Sequence, residues 1–537
     1  MTLQKTLLAA IVKSLLRGKS LIQAILNYWL APLSVKTTTK SRATRQKQSS
    51  IGDFIKEAEA AFLGPVSGDG LLDLSAALRK QFRERLQTDL ECMLPSYSHQ
   101  LPVGNEAGQY LALDVGGSTL RVALVELRGE VAEGKRRSEI VESRSFKIDK
   151  PIKDLEGMAF FEWMASRINE TLSKGLKKEY DPEHPLSMAL AWSFPIEQTS
   201  LGGGKLGPMG KGFLANKGLL GQDLGDVLRR ACKSKGLNVV VEAIINDSSA
   251  CLLSQAYVYP TTRFGLILGT GLNIAVYLPV NAIGRSKFGM RPPGWFDEAS
   301  HVIVNTELGM FGHDILPWNK WDRQVQAGHS RPDFQPLELL VSGMYLGEVA
   351  RYTLIDAIEA TGIFGGVVPS SLKTPYSLAT ETLSLIESDT SDSRSKAISI
   401  FSEAHPSVHT PTAADVSALQ SLASFISIRS SALVATCVYT LWDIRLESQR
   451  ELVASLPACT DAVAVAQADV DMANTVVSFN GSVIENYPGY LASCQKFVDF
   501  LLQSHGCSKE STIELVPAKE SSLLGAAVAS ACVVRDN

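Results

Sequence analysis

Leu111 to Leu127 reads LALDVGGSTLRVALVEL, and its polar residues are the ones with chemistry to offer. Two apolar runs flank Asp114, Gly116, Gly117, Ser118, Thr119 and Arg121, which predicts a strand–turn–strand hairpin with the polar set at its tip. The paired glycines open backbone angles closed to other residues and let main-chain N–H groups approach a ligand. Ser118 and Thr119 add hydroxyls, Arg121 adds a cation, and Asp114 offers a carboxylate to a metal. Such a set suits a nucleotide phosphate; standing alone, it suits a plain hairpin equally well. The pattern returns in the second half, where Phe264–Leu268 and Ile274–Leu278 flank Gly269-Thr270-Gly271-Leu272-Asn273. Between the copies, the apolar run Val239–Ile245 ends at Asn246-Asp247, placing a carboxylate at the rim of a cleft or at a helix N-cap. Two strand–Gly turn–strand units point to a duplicated fold with a cleft between lobes.

The elements that must carry these residues alternate between strand and helix, which is an α/β pattern. Helix is predicted from Ile51 to about Pro95, Met158 to Leu172, Gln222 to Cys232, Leu337 to Ala360, Ala413 to Leu446 and near Leu523 to Val533. Further strands are predicted at Ser138–Lys147, Met188–Phe194 and Thr475–Phe479. The Gly-rich stretch Leu201–Gly218 reads as an exposed or mobile loop, and Ser388–Thr412 as an irregular excursion.

Composition removes several function classes. A net charge of −4 over 537 residues argues against nucleic acid as a main partner. The eight cysteines are scattered without a C-x-x-C pair, so neither a zinc site nor a disulfide framework is expected, and a reducing intracellular compartment is. Residues 1–50 stand apart, with nine Lys or Arg and no acid. Leu3, Leu7, Ile11 and Leu15 line one helical face, while Lys5, Lys13, Arg17 and Lys19 interrupt any span of ~20 apolar residues. This is the composition of a mitochondrial address or a membrane-surface helix; the alternative is a frayed or locally docked N-terminal helix. Lys36–Ser50 reads as linker.

From about residue 52 to 533 the chain resembles the hexokinase family of sugar kinases. LDVGGSTLR is similar to that family's first phosphate motif, Trp192-Ser193-Phe194-Pro195 to its sugar-binding Ser-Phe-Pro segment, and Gly210-Lys211-Gly212-Phe213 to its Thr-Lys-Gly-Phe loop. Asn246-Asp247, GTGLN, Asn305-Thr306-Glu307-Leu308-Gly309, Glu338 with Ser342 to Glu348, Asn480-Gly481-Ser482 and Ser522 to Ala527 follow in the family's order. The resemblance implies an α/β, two-lobed actin-like ATPase (ribonuclease H-like) fold, with small and large lobes around a cleft. It divides the chain into a basic N-terminal segment, 1–50, an N-terminal part, 52–257, and a C-terminal part, 258–537. It implies ATP-dependent phosphorylation of a hexose or N-acetylhexosamine at the 6-hydroxyl, with Asp247 as base assisted by Lys211.

By the same resemblance Ser193, Phe194, Pro195, Lys211, Asn246, Asp247, Asn273, Glu307 and Glu338 would meet the sugar. Gly116, Gly117, Ser118, Thr119, Arg121, Gly269, Thr270, Gly271, Gly481, Ser482, Ser522 and Gly525 would meet ATP, and Asp114 would reach Mg through water. The implied partners are the sugar and ATP, with no nucleic acid. The implied location is cytoplasmic, with residues 1–30 as the candidate attachment to the mitochondrial outer surface. An alternative is a hexokinase-like regulator of weak or no activity that signals through a protein partner.

Three places depart from the family pattern. Gly210 replaces a usual Thr, Asn480 a usual Asp, and Ser521 and Leu523 replace two glycines within Lys519–Gly525. Bulk at the last two is expected to crowd the adenine pocket. Such changes resemble a divergent fungal branch containing N-acetylglucosamine kinases and regulatory members, and the space at Gly210 tilts the expectation towards N-acetylglucosamine.

Overall fold

The computed structural model describes residues 50–130, 137–172, 183–210, 212–458, 460–504 and 511–533. Residues 1–49 and Lys211 therefore lie outside the described residues.

The strands in chain order are β1 (Leu94–Pro95), β2 (Ala107–Val115), β3 (Thr119–Arg128), β4 (Ser138–Lys147), β5 (Leu186–Trp192), β6 (Ile196–Gln198) and β7 (Gly204–Leu206). They continue with β8 (Val239–Ile245), β9 (Thr262–Leu268), β10 (Leu272–Pro279), β11 (His301–Asn305), β12 (Asn474–Asn480) and β13 (Thr512–Pro517). The smaller lobe is built on β4-β3-β2-β5-β8 and the larger on β1-β11-β10-β9-β12-β13. In each sheet a three-stranded antiparallel meander continues into two parallel strands: β2/β3/β4 with β5 and β8, and β9/β10/β11 with β12 and β13. The strand order is the same, so the duplication seen in the two Gly turns extends to whole lobes. Each turn joins the first two strands of its sheet.

Between the sheets lie two helices, Asp247–Ala256 and Ser521–Val533. The first packs on the large-lobe strands β9, β10 and β12, the second on β2, β5 and β8, and the two pack on each other. Their shared core is rich in alanine, with Ala112, Ala189, Ala243, Ala250, Ala526 and Ala527 buried. Small side chains permit close backbone approach, and Gly525 takes this furthest. A Cβ placed there would lie 2.0 Å from the Ala250 carbonyl oxygen. Gly525 therefore serves helix packing, not contact with a nucleotide. Gly525→Ala is expected to cost about 1–3 kcal/mol of stability by overpacking, and to lower turnover because the displaced helix begins at Asp247. Urea unfolding and steady-state rates on the same preparation check both.

Lobe and chain order do not coincide. Helices Ile51–Leu63 and Gly70–Thr88 bury Phe54, Phe62, Leu78 and Phe82 in the large-lobe core. That core is centred on a 43-residue helix, Ala413–Ser455, which opens with a reciprocal Thr412/Asp415 capping box. The helix is long and apolar enough to cross a membrane, but 78% of its apolar window is buried inside the fold, so it is a core helix.

Three expectations are corrected. Leu201–Gly218 is no exposed loop: it contains β7 and buries Leu206, Met209, Phe213 and Ala215. Its apolar residues anchor a turn-rich path that the glycines make irregular. Ser388–Thr412 contains the helix Ser395–Ala404, which buries Ala397 and Phe401. The predicted helix Leu337–Ala360 is two, Pro336–Val341 and Gly343–Thr361, broken at Ser342 in extended conformation.

Candidate active site

β8 rises through the small lobe and delivers Asn246 and Asp247 to its end, where the next helix starts. Asn246 is the N-cap, its Oδ1 accepting from Ser249 N at 2.8 Å, and its Nδ2 is buried without a hydrogen-bond partner. A donor left over after capping is what a ligand hydroxyl could use. Asp247 Oδ1 accepts from Ser248 N at 2.8 Å. Burial, reinforced by the charges of Asp114 and Glu307, pushes its carboxyl up to about 6. Asp247 is therefore close enough to one carboxylate from each lobe to feel its charge.

The small-lobe side is the β2–β3 hairpin, where Asp114 pairs with Arg121 across the strands. Arg121 Nε and Nη2 both donate to Asp114 Oδ2, at 2.9 and 2.6 Å, and Nη1 donates to Glu520 Oε2 at 2.8 Å. Gly116 N donates to Thr119 O at 3.0 Å to close the turn, leaving Gly117 and Ser118 at its tip. Neither Gly116 nor Gly117 has positive φ, nor do Gly269 and Gly271. The expected left-handed backbone is therefore absent at these glycines, and at Gly271 a Cβ would be crowded, 2.9 Å from Glu338 Oε2.

The large-lobe side gathers Gly269, Thr270 and Ser482. The Cβ position of Gly269 lies 3.5 Å from Ser482 Oγ. Gly481, at φ 133°, could carry no Cβ, since Leu268 O would be 2.3 Å away. The helix Gly343–Thr361 docks its first N–H groups on this turn, Gly343 N to Gly269 O and Met344 N to Thr270 O.

Between these walls lies a belt of amides and carboxylates. Glu338 Oε2 accepts from Leu272 N at 2.9 Å, an approach that a Cβ on Gly271 would obstruct. Asn273 donates to Asn305 at 2.8 Å, and Asn305 donates to Glu307 at 2.7 Å. Glu307 sits at φ 50°, ψ 51°, a left-handed conformation costly for a non-glycine residue and concentrated at functional sites. Burial raises its carboxyl, and the Asn305 hydrogen bond opposes the rise.

Ser193 donates its N–H to Val115 O at 3.2 Å, beside the phosphate hairpin, and Pro195 is exposed. Phe194 is a correction: it is 5% exposed and packs on Trp192 and Phe213, its ring 5.0 Å from each. Its ring packs into the small-lobe core. Leu523 is a second correction. It is buried in the alanine-rich core, where its bulk is taken up by packing, and Ser522 stays partly open. The strained residue in this segment is Glu520, at φ 53°, whose side chain reaches Arg121. Asn480 Nδ2 donates to Ala518 O at 3.0 Å, a bond that a carboxylate could not make. Sequence reasoning gave no role to Asn305 or Glu520; for Asn305 the signal was its place in the same Asn305-Thr306-Glu307 motif as Glu307.

A duplicated α/β pair of lobes, with opposed Gly turns and a carboxylate at the end of β8, is the arrangement of the actin-like two-lobed ATPase fold. Two hexokinase family models match the chain, over residues 56–257 and 263–532. The chloroplastic hexokinase-4 of Oryza sativa subsp. japonica is 30% identical over 442 residues, covering 82% of this chain and 80% of that protein. A hexokinase of Schwanniomyces occidentalis is 28% identical over 494 residues, covering 89% and 95%. The structure of a Schistosoma mansoni hexokinase complexed with glucose superposes with a TM-score of 0.69 at 24% identity, covering 90% of this chain and all of the other. The chain belongs to the hexokinase family.

Proposed function

We propose that the chain transfers the γ-phosphoryl group of ATP to the 6-hydroxyl of a hexose or N-acetylhexosamine, N-acetylglucosamine before glucose. The observation that carries this reading is Asp247 itself, a carboxylate held near pH 6 between the phosphate hairpin and the amide–carboxylate belt. At neutral pH it is ionised and basic enough to take the hydroxyl proton as O6 attacks phosphorus and the bond to ADP breaks. Asn246, Asn273, Glu307 and Glu338 orient the ring hydroxyls, with Ser193 and Pro195 from the small lobe; the family resemblance adds Lys211. The turns at Gly116–Thr119 and Gly269–Gly271 with Gly481 and Ser482 hold the phosphates. Asp114 fits a hydrated Mg²⁺, since both guanidinium bonds use Oδ2 and leave Oδ1 unengaged by Arg121. Among the described residues no cluster of three or more His, Cys, Asp or Glu is poised for a metal; phosphate oxygens and water would complete the shell of an ion held at Asp114. Mg²⁺ bound there would neutralise charge on the β- and γ-phosphates.

The preference for N-acetylglucosamine rests on Gly210. It has φ 64°, and a Cβ there would meet nothing within 4 Å, so open space stands where the family usually places Thr. A coupled assay with ATP and a sugar panel tests the reading. Turnover highest with N-acetylglucosamine supports it, and turnover of glucose alone overturns the preference. No turnover of any sugar, together with sugar-induced thermal stabilisation, overturns the kinase and leaves a sugar-binding regulator.

The acid-free composition of residues 1–50 supports attachment to the cytosolic face of the mitochondrial outer membrane. Deleting residues 1–49 is expected to move the protein into the soluble fraction with kcat/KM unchanged; a full-length fluorescent fusion found diffuse in the cytosol overturns this.

A further inference from the structure

We infer that Asn305 is the positioning residue of the sugar site, the amide that sets Asn273 and Glu307 in register with each other. The inference rests on the proposed sugar-kinase reading and deepens it, because Asn305 belongs to none of the residues assigned to substrate above.

The placement follows from the sheet. β10 and β11 are antiparallel with Ala275 opposite Asn305, which makes Asn273 a diagonal neighbour on the same face. Asn305 Oδ1 accepts from Asn273 Nδ2 at 2.8 Å, and Asn305 Nδ2 donates to Glu307 Oε1 at 2.7 Å. The carboxylate can only accept, so it fixes which end of the Asn305 amide faces it, and that in turn fixes the Asn273 amide. Asn273 Oδ1 is held by Ile274 N at 2.8 Å and by Leu308 N at 3.3 Å. With Oδ1 and one N–H so engaged, Asn273 has a second N–H to direct at a sugar hydroxyl. Glu307, on left-handed backbone, has its Oε1 pinned and its other oxygen available to a second hydroxyl.

Only a residue that accepts on one side and donates on the other can do this. Aspartate has nearly the same shape and no donor, and alanine has neither function. Among the described residues, it is the Asn305 hydrogen bond that counteracts the upward push of burial on the Glu307 carboxyl. The titratable groups that face Glu307 from other elements include Asp247, across the cleft, and the Cys92 thiol, which burial keeps protonated. Both leave Asn305 as the source of the stabilisation of charge.

The test uses the full chain and compares wild type, Asn305→Asp, Asn305→Ala and Val304→Ala, with N-acetylglucosamine and glucose as probes. Val304 is buried in the same strand on the core side and reports simple loss of packing. Expected for both Asn305 variants is a rise of tenfold or more in KM for the sugar, KM for ATP within twofold of wild type, and a smaller sugar-induced thermal shift. The acid limb of kcat/KM for the sugar, set in wild type by Asp247, broadens towards higher pH, because Glu307 loses its donor and in Asn305→Asp gains a charged neighbour. Val304→Ala lowers thermal stability and leaves the sugar KM and the limb in place. Unchanged sugar KM in the Asn305 variants, or the same kinetic change in Val304→Ala, overturns the assignment. Wild type showing neither turnover nor a thermal shift with either sugar is a different result and overturns the sugar-kinase reading itself.

Discussion

Asp247→Asn is expected to lower kcat by roughly 10²–10⁴-fold while making the folded protein more stable at pH 8. Asparagine keeps the shape and can still accept from Ser248 N, so the helix N-terminus is preserved. What it loses is the ability to take a proton. The stability gain follows from the direction of the pKa displacement, from 3.8 up to about 6. Below about 3.8 the acid is neutral folded and unfolded, and burial costs nothing. Between 3.8 and 6 the unfolded chain ionises first, so folded stability falls as pH rises. Above 6 the penalty is complete, at most about 3 kcal/mol for a displacement of this size, and less where cleft water solvates the carboxylate. The neutral amide escapes it. The wild-type rate should accordingly lose activity on an acid limb near pH 6, and the variant's residual rate should lack that limb. Rapid-quench or coupled assays, sugar binding by calorimetry and thermal melts at pH 5 and pH 8 measure all of this. Sugar affinity should stay within about tenfold of wild type. A variant that melts lower at pH 8 and loses sugar binding would show Asp247 to be a structural cap.

This opposition between stability and chemistry explains why some of the site was legible in the sequence and some was not. The hairpin Leu111–Leu127 and its echo at Gly269–Asn273 announced themselves because strand periodicity and turn residues are local properties. Asp247 was visible for the same reason, as a carboxylate ending an apolar strand. The sugar belt could be assembled only through family resemblance, because Asn273, Glu307 and Glu338 come from three segments that only the sheet register and the Gly271 approach bring together. The errors have one common cause. Phe194, Leu523 and Gly525 lie among functional motifs, yet each turns its side chain, or its lack of one, into a packed core. A linear motif cannot show which side of the chain faces the cleft. The Arg121–Glu520 pair spans most of the sequence and has no local signature, although it occupies the guanidinium that the phosphates would meet.

Removing the Arg429 charge should have the largest effect on stability. Arg429→Met is expected to destabilise the protein by about 3–5 kcal/mol, with kcat per folded molecule unchanged. Arg429 and Asp322 are both fully buried and bond bidentately, Nη1 to Oδ2 at 2.5 Å and Nη2 to Oδ1 at 2.8 Å. Asp322 also closes a capping box by accepting from Asn319 N at 2.9 Å, and the Arg429 guanidinium lies 4.8 Å from the Phe62 ring centroid. Three segments distant in sequence therefore meet on one charge pair: Ile51–Leu63, Lys320–Gly328 and the long helix Ala413–Ser455. Methionine fills much of the arginine volume, so the cost arises from the aspartate left buried without its partner, not from a cavity. The double variant Arg429→Met/Asp322→Asn removes both charges and keeps an acceptor for Asn319 N. It should recover at least half of the lost stability, and chemical denaturation of the four proteins in the cycle gives the coupling directly. A double variant as unstable as Arg429→Met would locate the loss in side-chain packing against Phe62. The pair lies in the helical core, away from the strand ends that carry Asn273 and Glu307, so sugar KM should stay constant across the cycle while the midpoint of unfolding moves.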